Sequence, residues 1–137
     1  MTQYVILLPG DESRWQQASA DERSAMYDRH RRFMDLLQAR GHRIIGGAEL
    51  THSSQAKVVR GDLDAVTVSD GPYAETVEQL TGFYGVESDD LDDLLNVCGL
   101  LAGSGAVEVR AAVRGPDDPG PDVAHATSGA ATPAPVS

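Results

Sequence analysis

The chain has more sheet to cover than helices to cover it. Short apolar runs of strand length recur along it, beginning with residues 4–8 (YVILL), whereas helical periodicity is sustained only twice. Ser19 followed by Glu22 fits a capping box, and the helix it opens is expected to run to about Arg40, where Gly41 stops it. Its apolar stripe is Met26, His30, Phe33 and Leu37, with Leu36 alongside, so His30 projects from the inward face. Residues 43–45 and 49–50, parted by Gly46 and Gly47, read as one bulged strand. Residues 57–60 and 65–69 read as a hairpin around Gly61, with Asp70-Gly71-Pro72 closing it. Residues 83–86 and 107–113 are further strands, and the Pro9-Gly10 pair is expected to end the first. Ser88 is expected to cap the second helix, whose first turn carries Asp89, Asp90, Asp92 and Asp93. Leu91, Leu94, Leu95 and Cys98 form its expected buried side.

Two helices cover one face of an antiparallel sheet and no more. The order strand, helix, strands, strand, helix, strand therefore predicts a ferredoxin-like α+β layer. The YVILL and FYGV runs put apolar groups on both faces of that sheet. A second sheet from a twin subunit would cover the remaining one, so a homodimer is expected.

Composition sets outer limits. At 137 residues the chain is one domain in size, and the globular part is expected to span residues 1–114. Residues 115–137 hold five of the seven prolines and no Leu, Ile, Phe, Tyr or Trp, which reads as a disordered tail. Acids outnumber bases by 21 to 11, and a net charge of -10 argues against binding nucleic acid through a basic surface. No run approaches the length of a membrane span, and the start lacks a signal peptide's basic and long apolar regions. Cys98 is the single cysteine, so no intrachain disulfide or paired-cysteine zinc site can form; a cytoplasmic setting fits. No two histidines stand four apart as in a helical metal site, and no phosphate-cradling glycine motif occurs, so no metal and no cofactor are expected.

Residues 69–84 (SDGPYAETVEQLTGFY) resemble the signature of the YCII-related family in its DGPF subgroup. The likeness continues through YVILLPGDESRW, the ADER helix start, GGAEL, DLDDLL and GAVEVRAAV. Tyr73, Val77 and Thr81 depart from the signature's Phe, Lys and Gly; the lost Lys removes a positive charge beside the motif. The resemblance implies a dimeric α+β barrel. Some relatives present a His–Asp pair in a cleft between helix and sheet. The family includes a dechlorinating lyase of aromatic degradation, and members beside sigma-factor genes have been called regulators. By that pattern the pair here is His30 and Asp70.

An imidazole of ordinary pKa accepts and returns a proton near neutrality. The expected chemistry is proton abstraction from a cyclic or aromatic small molecule, leading to elimination, isomerisation or ring closure. His30 would be the base, Asp70 its orienter, and Tyr73 or Arg29 the stabiliser of a developing oxyanion. Glu75 and Glu78, three apart, would share a face if their segment were helical, and could contact substrate. Two plainer readings stand beside these: a buried His30 bonded to a backbone carbonyl with Asp70 capping its own turn, and a solvated acidic face for the two glutamates. At the level of function the alternative is a non-catalytic ligand-binding or regulatory dimer.

Overall fold

In the computed structural model, which describes residues 1–103 and 105–113, the capping box at Ser19 forms as written in the sequence. Ser19 Oγ accepts from the Glu22 N–H at 3.1 Å, and Glu22 Oε1 accepts from the Ser19 N–H at 3.1 Å. Strand β1 (Thr2–Asp11) leads into a short helix α1 (Glu12–Gln17), and the box opens the long helix α2 (Ala20–Ala39). Gly41, at φ +83, turns the chain out of α2 in the left-handed region that favours glycine. There follow β2 (Arg43–Glu49), a 3-10 turn at Ser53–Gln55, β3 (Lys57–Arg60), β4 (Thr67–Asp70), β5 (Glu78–Ser88), helix α3 (Leu91–Ala102) and β6 (Glu108–Ala111). The expected tail over 115–137 lies outside the described residues.

The four long-range strands form one antiparallel sheet in the order β2-β5-β1-β6, with β3 and β4 paired separately. This is the ferredoxin-like α+β layer. Ile6, Leu8, Tyr84 and Val86 point from the two central strands to one face, where Phe33 and Leu37 of α2 and Leu94, Val97 and Cys98 of α3 bury them. Strand alternation sends Val5, Leu7 and Phe83 to the opposite face, where they are half-buried. Among the described residues no helix is long and apolar enough to cross a membrane.

Several boundaries differ from the sequence reading, each for a local reason. Strand β1 does not stop at Pro9 but continues to Asp11. Its register with β5 shifts between Leu8 and Pro9, while β6 pairs only with Tyr4 to Leu7. Pro9 thus lies where one side of the strand asks for no donor. Strand β5 starts at Glu78 rather than residue 83, so Glu75 and Glu78 do not share a helical face. In the hairpin, Ala65 N–H donates to the Asp62 carbonyl at 2.9 Å, and that turn delays β4 to Thr67.

The cap of α3 is Asp90, whose side chain accepts from the Asp93 N–H, and not Ser88. The helix packs with Leu94, Val97 and Cys98 buried and Leu91 and Leu95 exposed, so two of the four residues expected inside lie outside. Ser88 instead ends β5 fully buried, its Oγ accepting from the Asp90 N–H at 2.9 Å. It also meets His42 Nδ1 at 2.8 Å, and His42 Nε2 meets Asp93 at 2.8 Å. Arg40 donates to the other oxygen of Asp93 at 2.8 Å. The turn after α2, the end of β5 and the start of α3 are therefore joined through one buried imidazole. The hydrogen bond with His42, aided by Arg40, holds the Asp93 carboxyl below its usual range. Ser88 is buried under this network, which makes it a clamp and not an accessible nucleophile.

Removing the imidazole takes one partner each from Ser88 and Asp93 and opens a gap. His42→Ala is expected to cost about 2 to 4 kcal/mol, read as a lower denaturant midpoint at unchanged slope. A midpoint equal to that of the parent chain would show that the clamp contributes nothing.

Candidate functional site

The inward stripe of α2 places His30 where the helix crosses β5, and the side chain is 3% exposed. Its Nδ1 lies 2.7 Å from the hydroxyl of Tyr84, and the two rings stack with centroids 5.8 Å apart. Tyr84 is fully buried, packed on its other side against Phe33. Among the described residues its hydroxyl has His30 as hydrogen-bond partner, so the O–H donates to Nδ1; the reverse arrangement would leave a buried hydroxyl proton without an acceptor. The ring proton then sits on Nε2. Burial pushes the His30 pKa down to about 4 and the Tyr84 phenol up to about 12. Near neutrality both groups are uncharged, and Nε2–H is a donor.

His30 forms part of the wall of a cavity of about 560 Å³. The end of β1 (Leu8 to Gly10), Trp15 of α1, Met26 of α2, Leu101 at the end of α3 and Val107 before β6 give it its apolar lining. Polar groups on the wall are Asp11, Arg14, Glu22, Arg29, Glu78 and Thr81 besides His30. Several of them are already committed. Asp11 Oδ1 caps α1 by accepting from the Ser13 and Arg14 N–H groups. Glu22 belongs to the capping box, and Thr81 Oγ1 donates to the Leu8 carbonyl at 2.9 Å. Arg29 Nε donates to the Leu100 carbonyl at 2.8 Å.

Of the residues singled out from sequence, His30, Arg29 and Glu78 line this cavity. Asp70, Tyr73 and Glu75 are not among its lining residues. The expected His30–Asp70 pair is therefore corrected: Asp70 stands 73% exposed in the hairpin and pairs with Lys57 at 2.5 Å. The alternative of a backbone carbonyl on His30 is corrected as well, because its partner is a phenol. Tyr73, 83% exposed, lies on the surface. Glu75 is exposed in the connection before β5.

Tyr84, Arg14 and Thr81 escaped the sequence reading. The spacing of two between Tyr84 and Val86 does place them on one strand face. Which face became visible only with the pairing of Ile6 to Tyr84. Among the described residues no group of three or more His, Cys, Asp or Glu side chains gathers to hold a metal ion.

Comparison with known proteins adds family and little chemistry. The model of the YCII-related domain matches residues 2–111. An uncharacterized protein of Rhizobium meliloti (strain 1021), R00369, is 37% identical over 67 residues, a stretch covering 46% of this chain and 54% of that protein. The match thus spans about half the length of that relative.

The buried imidazole makes stability fall in acid. With the folded pKa near 4 and an ordinary unfolded value of 6.5, the unfolded state binds more protons between those limits. His30's contribution is whole above about pH 6.5 and is lost as pH falls toward 4, with a slope of at most about 1.4 kcal/mol per pH unit. Urea titrations across that window should show the slope in the parent chain and a flatter profile in His30→Asn. Equal slopes would remove His30 as the cause.

Proposed function

The chain belongs to the YCII-related family, and from that premise we propose that it is a small-molecule enzyme whose cavity carries out proton transfer on a cyclic or aromatic compound. The reaction class is elimination, isomerisation or ring closure. The observation that carries this reading is the uncharged imidazole of His30 at the cavity wall, its Nδ1 taken by a buried phenol.

The geometry reverses the role first expected of His30. An aspartate partner would accept from Nδ1–H and favour imidazolium, leaving Nε2 as a base. A phenol that donates to Nδ1 does the opposite and presents Nε2–H. His30 then acts by hydrogen-bonding a substrate oxygen and stabilising the negative charge that develops there as a C–H proton departs. The base assigned to take that proton is Glu78, a cavity-lining carboxylate, which would hand it on to the leaving group or to a neighbouring carbon. Arg29, held by the carbonyl at the end of α3, supports the same developing charge. Tyr84 is a positioning residue.

Cyclic ketones and lactones incubated with the protein in D₂O give a direct test, with exchange at the carbon next to the carbonyl followed by NMR. Enzyme-dependent exchange is expected with at least one compound, and His30→Asn or Glu78→Gln should lower it by roughly 10²- to 10⁴-fold. Turnover untouched by both substitutions would refute the assignment. A donor-lined cavity can also bind without reacting. Saturable ligand binding with no exchange in any compound would favour the second reading, a non-catalytic binding or regulatory protein.

We further propose that two copies associate through the sheet face opposite the helices. Val5, Leu7 and Phe83 lie on that face, and Ile45 reaches across Gly85, where an added Cβ would come within 3.2 Å of it. The hairpin adds the cross-strand pair Val59 and Val68, each 59% exposed. Light scattering coupled to size exclusion is expected to give twice the chain mass, and Leu7→Glu to give the single-chain mass with helical content kept. A monomeric parent protein at micromolar concentration would end this proposal.

A further inference from the structure

The chain carries an excess of ten negative charges, yet two arginines on the cavity wall have no carboxylate within ion-pair distance among the described residues. Elsewhere Arg31 pairs with Asp28, Arg40 with Asp93, Arg43 with Glu87 and Arg110 with Glu108, while Arg23, Arg32 and Arg60 lie outside the cavity and make no ion pair among the described residues. Arg14 and Arg29 share their cavity with Asp11, Glu22 and Glu78 and pair with none of them. Two of those acids are turned to backbone work, Asp11 capping α1 and Glu22 closing the capping box. Arg29 is anchored by Nε to the Leu100 carbonyl, which fixes the guanidinium plane and leaves both terminal nitrogens for another partner. The Arg14 guanidinium makes no hydrogen bond or ion pair among the described residues, its backbone N–H alone being engaged by Asp11. The most buried polar residue of the lining is His30, a neutral imidazole.

From this arrangement we infer that the cavity takes a small organic anion, a carboxylate on an apolar ring, with Arg14 and Arg29 binding the carboxylate and His30 donating to a second oxygen. The inference rests on the proposed use of His30 and deepens it by naming the ligand class and adding Arg14 to the site. A guanidinium matches a carboxylate with two parallel hydrogen bonds, and the apolar lining around Trp15, Met26 and Leu101 suits a ring. A cationic ligand would meet the two unpaired guanidinium groups. A neutral one would leave both without a counter-charge.

Three probes of one shape and different charge separate the cases: benzoate, benzamide and benzylammonium. Each is titrated into the full chain while the His30 imidazole signals are followed by NMR. Benzoate is expected to shift those signals saturably and to bind roughly tenfold or more tightly than benzamide, with benzylammonium weakest. Arg14→Gln, a change at an exposed position, should weaken benzoate by roughly tenfold and leave benzamide unchanged. Arg14→Lys should restore part of the loss. Benzamide or benzylammonium binding as tightly as benzoate would overturn the anion inference while leaving the proposed role of His30 standing. The same holds for benzoate binding that Arg14→Gln does not change. His30 signals unmoved by all three probes at tens of millimolar would overturn both.

Discussion

The contact between α2 and the middle of the sheet decides most of what this molecule can be. Phe33 and Leu37 fill the space over Tyr84 and Val86, and His30 closes the same row one turn earlier. A helix that buries a hydrophobic stripe must do something with any polar side chain on it. Here the sheet supplies a phenol at the right height, and one hydrogen bond joins two uncharged groups. That solution fixes the crossing of helix over sheet. It also sets the protonation of the imidazole, whose residue forms part of the cavity wall.

The two histidines that close the core behave differently because their partners differ. His30 meets a group that resists ionisation, so burial dominates and the ring stays neutral well into acid. His42 sits between a hydroxyl and a carboxylate that Arg40 also engages, and its task is to tie three segments together. Side-chain identity alone distinguishes neither role. The neighbours do, and both sets of neighbours arrive from strands and turns tens of residues away in sequence.

That separation marks what could be read in advance. The capping box, the α2 stripe, the glycine stop, the hairpin and the layer they build were all legible, because each depends on residues within a turn or two of one another. The extent of β5 was not, since residues 78–82 (EQLTG) show no alternation and become strand through pairing with β1, the β2 ladder reaching only Gly82. The cap of α3 was misplaced by two residues because Ser88 and Asp90 are both good caps, and Ser88 was already claimed by His42. His30 was found from its helical face. Its partner is not Asp70 because that residue ends a strand of the separate β3–β4 hairpin, and only long-range register places Tyr84 beneath the helix.

Strand lengths in the sheet are unequal, and the hollow lies where they differ. Strand β6 keeps company with β1 only from Tyr4 to Leu7, whereas β1 runs on beside β5 to Asp11. Past Leu7 the sheet is one strand narrower, and the wall there is made by residues 8–11 on one side and the segment leading to Val107 on the other. The cavity thus borders a missing stretch of ladder, where Pro9 has no N–H to offer a neighbouring strand. Its capacity follows from how early the last strand begins, so a relative could enlarge or close its chamber by sliding that one starting point, without altering the helix that holds the imidazole.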